Sequence, residues 1–330
     1  MRTLSRRVEE FLFAPCSDTW LGILRIGVAL QVIIYCLSLR ADWHDLFSLD
    51  RAGLIKRDLA EAMLSAQNHY IPRVGWLVDS AGRFGVGEQI ALTLTWWGLL
   101  FGAFLLLIGL FSREAAIATL FLHLCAVKST SGLTYGVDNF TSIGLFYVMI
   151  APLPDRWAAD SWLRNRSRRD NHLQGFHRRI LQLHLCLIYF FSGITKCAGA
   201  GWWDGTSIWC ALIRPPFNLL SPETLIVWKH LFPILSISVC LLETGYPLFI
   251  WLRKTRTLWL VAVITMHLAI GLAMGLYLFA LVMITLNVAA FGTEFSFVTT
   301  ETNATRKVVA PRGRFDRAAI DRLRAEGTIV

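Results

Sequence analysis

Long apolar segments alternate with short polar ones along most of this chain. A run of about 18 or more apolar residues can cross the hydrocarbon core of a bilayer as a helix. The pattern predicts eight such spans, of which the fourth and the eighth are short for a full crossing. They cover residues 20–39, 89–111, 114–130, 140–153, 179–196, 225–252, 258–274 and 276–291. The predicted fold class is therefore all-α, a polytopic transmembrane helical bundle.

Arginine and lysine mark the loops on one side of this bundle. They are concentrated in the N-terminal segment and in the loops after the fourth and sixth spans. Eight spans place these segments on one side, and basic loops favour the cytoplasm. The pattern predicts a multi-pass protein of the plasma (inner) membrane with both termini cytoplasmic. Its predicted parts are a cytoplasmic segment 1–16, a transmembrane domain 17–293 and a cytoplasmic polar tail 294–330, in which 314–326 can form a short helix.

The composition supports a membrane protein and excludes other classes. Of the 330 residues, 55% are hydrophobic and 17% are charged, whereas about a quarter of an average soluble domain is charged. The mean hydropathy of +0.51 and the 13 tryptophans agree, because tryptophan favours the membrane interface. A soluble enzyme, a secreted disulfide scaffold and a disordered protein are excluded as the main class.

The net charge of +9 does not indicate a nucleic-acid partner. The excess arginine lies mostly in the loops that set topology, and no zinc-finger or RNA-binding motif accompanies it. The seven cysteines contain no C-x-x-C motif, and no histidine pair has metal-ligand spacing within one helix. No metal is therefore predicted. The bilayer is the partner that the composition itself predicts, and no oligomeric state follows from it.

Two long segments lie on the outer face in this topology, 40–88 and 196–224. The second is rich in tryptophan, glycine and proline, and we expect it to form a re-entrant or interfacial cap. Trp202, Trp203 and Asp204 belong to this cap. Cys197 and Cys210 lie in the same segment, where the two alternatives are a disulfide that closes the loop and a pair of free thiols.

Two charges within predicted spans lie toward the cytoplasmic half, where each needs a partner. Arg25 is in the cytoplasmic half of the first span, and Glu243 is deep in the sixth, which reaches the same half. An opposite charge offsets the desolvation of a buried one. We therefore expect Arg25 and Glu243 to form a structural ion pair, with a functional role for them as the alternative.

A second group of polar residues lies toward the outer face, below the tryptophan-rich cap. It comprises Lys128, Asp138, Asn139, Lys196, His230 and His267, which come from five predicted spans. Each lysine alone either extends to the headgroups or serves as a base. A lysine that burial keeps neutral can accept a proton near neutral pH. The similar depth of these residues predicts a shared site in the outer leaflet.

Two motifs carry a resemblance to a known family. The first-span sequence Leu-Gly-Ile-Leu-Arg-Ile-Gly at 21–27 resembles proteins with the horizontally transferred transmembrane (HTTM) domain, a superfamily that includes the vitamin K-dependent gamma-carboxylases. More specific is Tyr-Phe-Phe-Ser-Gly-Ile-Thr-Lys at 189–196, followed by Gly-Trp-Trp-Asp-Gly-Thr-Ser at 201–207. His267 and Glu243 are similar to a histidine and an acidic residue on late spans of the family. The resemblance covers about 17–291.

The resemblance implies a reaction at the outer face of the membrane. In the carboxylases a neutral lysine deprotonates a reduced naphthoquinone, and the oxidised product then acts as a strong base on a glutamate side chain. Lys196 is similar to that lysine and His267 to a residue of its pocket, whereas Asn139 stands where the family has a histidine. A reduced naphthoquinone is thus the implied cofactor, and a secreted peptide is the implied substrate.

A second interpretation keeps the fold without the chemistry. Short bacterial relatives of the SdpB type are similar to this chain in size and take part in the maturation of secreted peptide toxins. This resemblance implies a non-catalytic membrane component in the maturation or export of a small peptide. The environment of the Lys196 amine separates the two interpretations, because an enzyme needs this amine inside a site with other polar groups.

Overall fold

The computed structural model describes residues 2–49, 56–130, 134–163 and 172–294, and nearly all of them belong to one compact unit, 1–292. Its helices are α1 (Arg2–Leu12), α2 (Thr19–Ser38), α3 (Trp43–Phe47), α4 (Arg57–Gln67), α5 (Val74–Gly82), α6 (Glu88–Ile108), α7 (Ser112–Ser129), α8 (Gly136–Ile150), α9 (Ala159–Leu163), α10 (His172–Ala198), α11 (Thr206–Ile213), α12 (Pro222–Trp228), α13 (Phe232–Phe249), α14 (Arg253–Met274) and α15 (Tyr277–Phe291). Short 3-10 turns cover Ala200–Trp202, Lys229–Leu231 and Gly292–Glu294.

The structure confirms the all-α prediction. Each of the eight predicted spans coincides with one of the helices α2, α6, α7, α8, α10, α13, α14 and α15. Five helical segments are long and apolar enough to cross a membrane, namely α2, α6, α10, the continuous segment Pro222–Phe249 and α14, while α8 and α15 are shorter apolar helices. The chain is therefore a multi-pass membrane protein. The count of eight and the cytoplasmic termini stay predictions, and the tail 295–330, including 314–326, lies outside the described residues.

Helix α2 lies at the centre of the bundle, where it packs against α6, α8 and α15. Its fully buried residues include Trp20, Leu24 and Val28. Small residues on the neighbouring helices let the backbones approach, since a Cβ at Gly144 would lie 2.7 Å from a methyl carbon of Val28. Such close contact through small residues is the usual way that membrane helices associate, because lipid gives them no hydrophobic driving force.

Arg25 of α2 is fully buried and binds Asp155, not Glu243. Its Nε donates to Asp155 Oδ2 over 2.5 Å, and its Nη1 donates to the carbonyls of Leu106 and Leu107, each over 2.7 Å. The predicted Arg25–Glu243 ion pair is therefore wrong. Asp155 lies in the loop after α8, and this loop folds back onto α2. Asp155 lies outside every predicted span, so the charges within spans do not indicate it as the partner of Arg25.

Gly109 ends α6 next to this ion pair, in the left-handed conformation with φ of 77°. A Cβ there would lie 2.6 Å from the Cα of Ala158 and 3.0 Å from the guanidinium carbon of Arg25. Gly109 therefore allows α6 to end in the left-handed conformation and leaves room for Ala158 and Arg25 to pack against it.

We expect Gly109→Ala to lower the free energy of unfolding by about 1–2 kcal/mol or more, from backbone strain plus the contact with Ala158. Gly82→Ala is the matched control, because nothing lies within 4 Å of a Cβ at Gly82. Urea unfolding of the purified protein in detergent micelles measures both changes. Equal stability of the two variants would contradict this account of Gly109.

Helices α10 and α13 run antiparallel and pack closely against each other. A Cβ at Gly193 of α10 would lie 2.5 Å from the backbone nitrogen of Thr244 in α13. Beyond the end of α10, residues 199–213 of the cap pack against the start of α13. Trp209 of the cap meets Phe232 at a centroid distance of 5.8 Å. The cap thus lies directly after the part of α10 that ends with Lys196.

Candidate functional site

One face of α10 carries three polar side chains toward its C-terminal end. Tyr189, Ser192 and Lys196 are spaced by three and four residues, which places them on the same side of a helix. Helix α13, packed against this face, presents Glu243 and Tyr246, which are three residues apart. Their contacts form two neighbouring layers, about two turns apart along α10 and about one turn apart along α13.

The first layer is an ion pair between Lys196 and Glu243. The Lys196 amine donates to Glu243 Oε2 over 2.5 Å and to the Ser192 hydroxyl over 2.6 Å. It also lies 5.4 Å from the ring centroid of Trp202 in the cap, within the range of a cation–π contact. The Lys196 side chain is 21% exposed and that of Glu243 is 8% exposed, so the pair is largely removed from solvent.

The partner of Glu243 differs from the predicted one. The prediction places Glu243 deep in the span 225–252, in the same cytoplasmic half as Arg25. In the structure α12 and a 3-10 turn precede α13, which begins only at Phe232. Glu243 therefore lies well inside α13, opposite the last turn of α10, and there it meets Lys196.

The second layer joins four helices through a chain of hydrogen bonds. The Tyr189 hydroxyl contacts His267 Nε2 over 2.8 Å and accepts a hydrogen bond from Asn287 Nδ2 over 2.8 Å. Asn287 Oδ1 accepts one from the Tyr246 hydroxyl over 2.7 Å. The other ring nitrogen of His267, Nδ1, is also buried. Among the described residues, that Nδ1 has no hydrogen-bond partner.

Asn287 is the residue of this network that the sequence analysis misses. It is fully buried in α15, in the apolar sequence Ile-Thr-Leu-Asn-Val-Ala-Ala at 284–290. Burying a side-chain amide among apolar residues within the membrane costs free energy unless the amide is hydrogen-bonded. That isolated amide is the signal that could have identified it.

We expect Asn287→Leu to lower the free energy of unfolding by about 1–3 kcal/mol, because Tyr246 loses its buried acceptor and Tyr189 its donor. Asn139→Ala is the matched control, since Asn139 is exposed, and a surface change of this kind usually shifts stability by about 0.5 kcal/mol or less. Urea unfolding in detergent micelles compares the two. A control that is as destabilised as Asn287→Leu would contradict the assigned network.

Several residues predicted for the site lie elsewhere. Lys128, Asn139 and His230 are exposed, and the structure does not bring them to the Lys196–Glu243 pair. Asp138 is buried, but its carboxylate accepts the backbone N–H of Tyr135 over 3.0 Å and closes a capping box at the start of α8. Its position is accounted for by this helix cap, so the prediction that these residues share one site with Lys196 is wrong.

The cap residues have distinct roles. Trp202 faces the Lys196 amine, whereas the Trp203 indole donates to the carbonyl of Cys197 over 2.8 Å. Asp204 is exposed and accepts the backbone N–H of Thr206 over 2.9 Å, which lowers the pKa of its carboxyl. Trp202 is therefore the cap residue that contacts the ion pair.

The two cysteines of the predicted loop are free thiols. Cys197 is half-buried, and its Sγ lies 3.6 Å from the Thr244 hydroxyl, while Cys210 is exposed on α11. The disulfide between them is wrong, because Cys197 faces α13. Among the described residues, no group of three or more histidine, cysteine or acidic side chains is arranged to hold a metal ion.

The arrangement offers specific chemistry at membrane depth. A carboxylate, Glu243, can accept a proton, and the Lys196 ammonium beside it can stabilise a second negative charge. A buried imidazole, His267, lies in the neighbouring layer, and the aromatic ring of Trp202 faces the Lys196 amine. Such an arrangement of groups is suited to proton transfer.

Comparison with known proteins gives one family. The HTTM domain family matches residues 86–294, a range that includes Lys196, Glu243, His267 and Asn287. No curated protein and no solved structure matches the chain.

Proposed function

Because the chain belongs to the HTTM family, we propose that it is an integral membrane enzyme that takes a proton from a lipid-soluble quinol at the Lys196–Glu243 pair. The observation that carries the proposal is this ion pair, largely buried between two membrane helices and covered by Trp202. Ionisable side chains at such depth are costly and usually serve a function.

The residues around the pair suit a reduced naphthoquinone. Such a molecule supplies acidic hydroxyl groups and two electrons for a reaction with oxygen. Glu243 offers an acceptor for a hydroxyl hydrogen, and the Trp202 ring offers a flat surface for an aromatic ring. His267 Nδ1 is buried and has no hydrogen-bond partner among the described residues, and such a polar atom is stabilised when a ligand provides a partner.

The family resemblance assigns the deprotonation of the quinol to Lys196 alone. In the ion pair, Lys196 and Glu243 share this role. While Lys196 is a protonated ammonium, it has no lone pair and cannot accept a proton, so Glu243 is the basic member. If Glu243 first takes a proton from Lys196, the freed amine becomes the base, and the net transfer is the same. In either order the Lys196 charge stabilises the anion that deprotonation creates.

Tyr189 and Asn287 act on this site as positioning residues. Tyr189 lies on the same face of α10 as Lys196, and its hydrogen bonds to His267 and Asn287 tie α10 to α14 and α15. These contacts hold the lysine opposite α13 without touching the substrate. A secreted peptide as second substrate and a location in the plasma membrane, with the site in the outer leaflet, belong to the same proposal.

The test is oxygen uptake by membranes that contain the full-length chain. A chemically reduced naphthoquinone is added, and the rate is compared with membranes of the same cells without the chain, because such quinols also react slowly with oxygen alone. We expect a higher rate with the protein. Equal rates would overturn the enzymatic proposal and favour a non-catalytic membrane component in peptide maturation.

A further inference from the structure

We propose that Cys197 and Cys240 form a redox-active dithiol that closes to a disulfide and reduces a quinone at the neighbouring Lys196–Glu243 pair. The choice of a quinone as electron acceptor rests on the proposed function. The thiol pair itself rests on the packing of α10 against α13.

The backbones of α10 and α13 touch one turn away from the two cysteines. A Cβ at Gly193 would lie only 2.5 Å from the Thr244 nitrogen, so the glycine permits very close approach. Cys197 is four residues after Gly193, and Cys240 is four residues before Thr244. Because the helices are antiparallel, both cysteines lie one turn from the contact in the same direction and on facing sides.

Both cysteines lie at this helix contact. The Cys197 sulfur lies 3.6 Å from the Thr244 hydroxyl, and Cys240 is one turn before Thr244 on α13. Cys240 is 1% exposed, whereas Cys197 is half-buried at the edge of the cap. A disulfide needs Cα atoms about 4.4–6.8 Å apart, and the Gly193–Thr244 contact one turn away brings the two backbones close together.

The dithiol adjoins the proposed quinol site on both helices. Cys197 follows Lys196 directly, and Cys240 is three residues before Glu243 on one face of α13. The same ion pair therefore borders the thiols and the proposed substrate. A two-electron donor in this position would regenerate the quinol form that the proposed function consumes.

The reaction balances without a further reactant. The two S–H bonds break and one S–S bond forms, which releases two electrons and two protons. Both electrons and both protons pass to the quinone, whose two carbonyl oxygens become hydroxyls. The dithiol is oxidised to the disulfide, and an external thiol reductant would restore it by exchange.

The experiment uses the full-length protein in detergent micelles, reduced and then kept free of oxygen. The probe is a naphthoquinone that carries methyl groups on both free carbons of the quinone ring, so that thiols cannot add to it. Quinol formation is read from absorbance, and the disulfide from the linked Cys197–Cys240 peptide in mass spectrometry. Cys197→Ser and Cys240→Ser remove one partner each, and Cys210→Ser, which changes the exposed cysteine of the cap, is the control.

We expect the unaltered chain and Cys210→Ser to form one quinol per chain together with the linked peptide. Cys197→Ser is expected to form neither, and because Cys197 is half-buried it keeps the test valid even if Cys240→Ser does not fold. Quinol formation that is unchanged in Cys197→Ser would overturn the proposal. So would a disulfide that forms with the thiol oxidant diamide but not with the quinone.

The outcome is distinguishable from a failure of the proposed function. If the disulfide and the quinol form together while membranes containing the protein show no extra oxygen uptake with the reduced quinone, then the dithiol inference stands and the enzymatic proposal fails. If oxygen uptake is present but no disulfide forms, the dithiol inference alone is overturned.

Discussion

Replacing Glu243 with glutamine is expected to lower quinol-dependent oxygen uptake by roughly a hundredfold or more, the contribution of a positioned proton acceptor. The amide keeps the size of the side chain and can still accept the hydrogen bond from Lys196, which is now 2.5 Å from the carboxylate. It cannot take up a proton. The change thus removes the proton acceptor of the pair while it retains most of the packing between α10 and α13.

Glu223→Gln is the matched control for this change. Glu223 is an exposed carboxylate on α12, upstream in the same helical segment. We expect the oxygen uptake of Glu223→Gln to equal that of the unaltered chain. The measurement is the initial rate of oxygen consumption in membranes that hold equal amounts of each variant. Full activity of Glu243→Gln would show that the ion pair is structural.

The largest effect on stability is expected at Arg25. We expect Arg25→Met to lower the free energy of unfolding by about 3–5 kcal/mol, because it leaves the carboxylate of Asp155 buried without its partner. The carbonyls of Leu106 and Leu107 lose their donor as well. Adding Asp155→Asn to Arg25→Met is expected to recover part of the loss, since the second change removes the uncompensated charge.

Arg156→Met provides the comparison, because Arg156 forms an ion pair with Asp18 whose side chains are 18% and 19% exposed. This pair is partly exposed, so we expect Arg156→Met to lower the stability less than Arg25→Met, in which the two side chains of the lost pair are fully buried. Urea unfolding in detergent micelles measures all three proteins. A loss in Arg25→Met no larger than in Arg156→Met would contradict the importance assigned to burial.

The architecture was predictable because membrane helices leave a strong signal in sequence. Lipid requires the backbone of a spanning segment to satisfy its own hydrogen bonds, so long apolar runs become helices. For the same reason the charges within spans pointed to Lys196, Glu243 and Arg25 as residues with a specific role. Each of them forms an ion pair in the structure.

The partners of these charges were not predictable by the same argument. Arg25 meets a loop carboxylate, and Glu243 meets Lys196 because α13 packs against α10. Both outcomes depend on where helices begin and how loops fold back, and apolar runs give these features only to within several residues. The contact of Cys197 with α13, instead of a bond to Cys210, has the same cause.

The polar network required knowledge of which helix faces meet. Asn139 was chosen by alignment with a family histidine, but it lies on an exposed face of α8. Asn287, a single amide in an apolar helix, joins Tyr189 and Tyr246 instead. Hydropathy treats such an amide as a small interruption, although burial makes it one of the most constrained residues of the chain.

The most direct test of the central claim is quinol-dependent oxygen uptake by Lys196→Ala, in membranes where the amount of folded protein equals that of the unaltered chain. The substitution removes the charge that stabilises the developing anion, so we predict a loss of roughly a hundredfold to a thousandfold. Lys128→Ala, which changes an exposed lysine, is predicted to keep the full rate. Unchanged uptake in Lys196→Ala would contradict the assignment of this ion pair as the reaction centre.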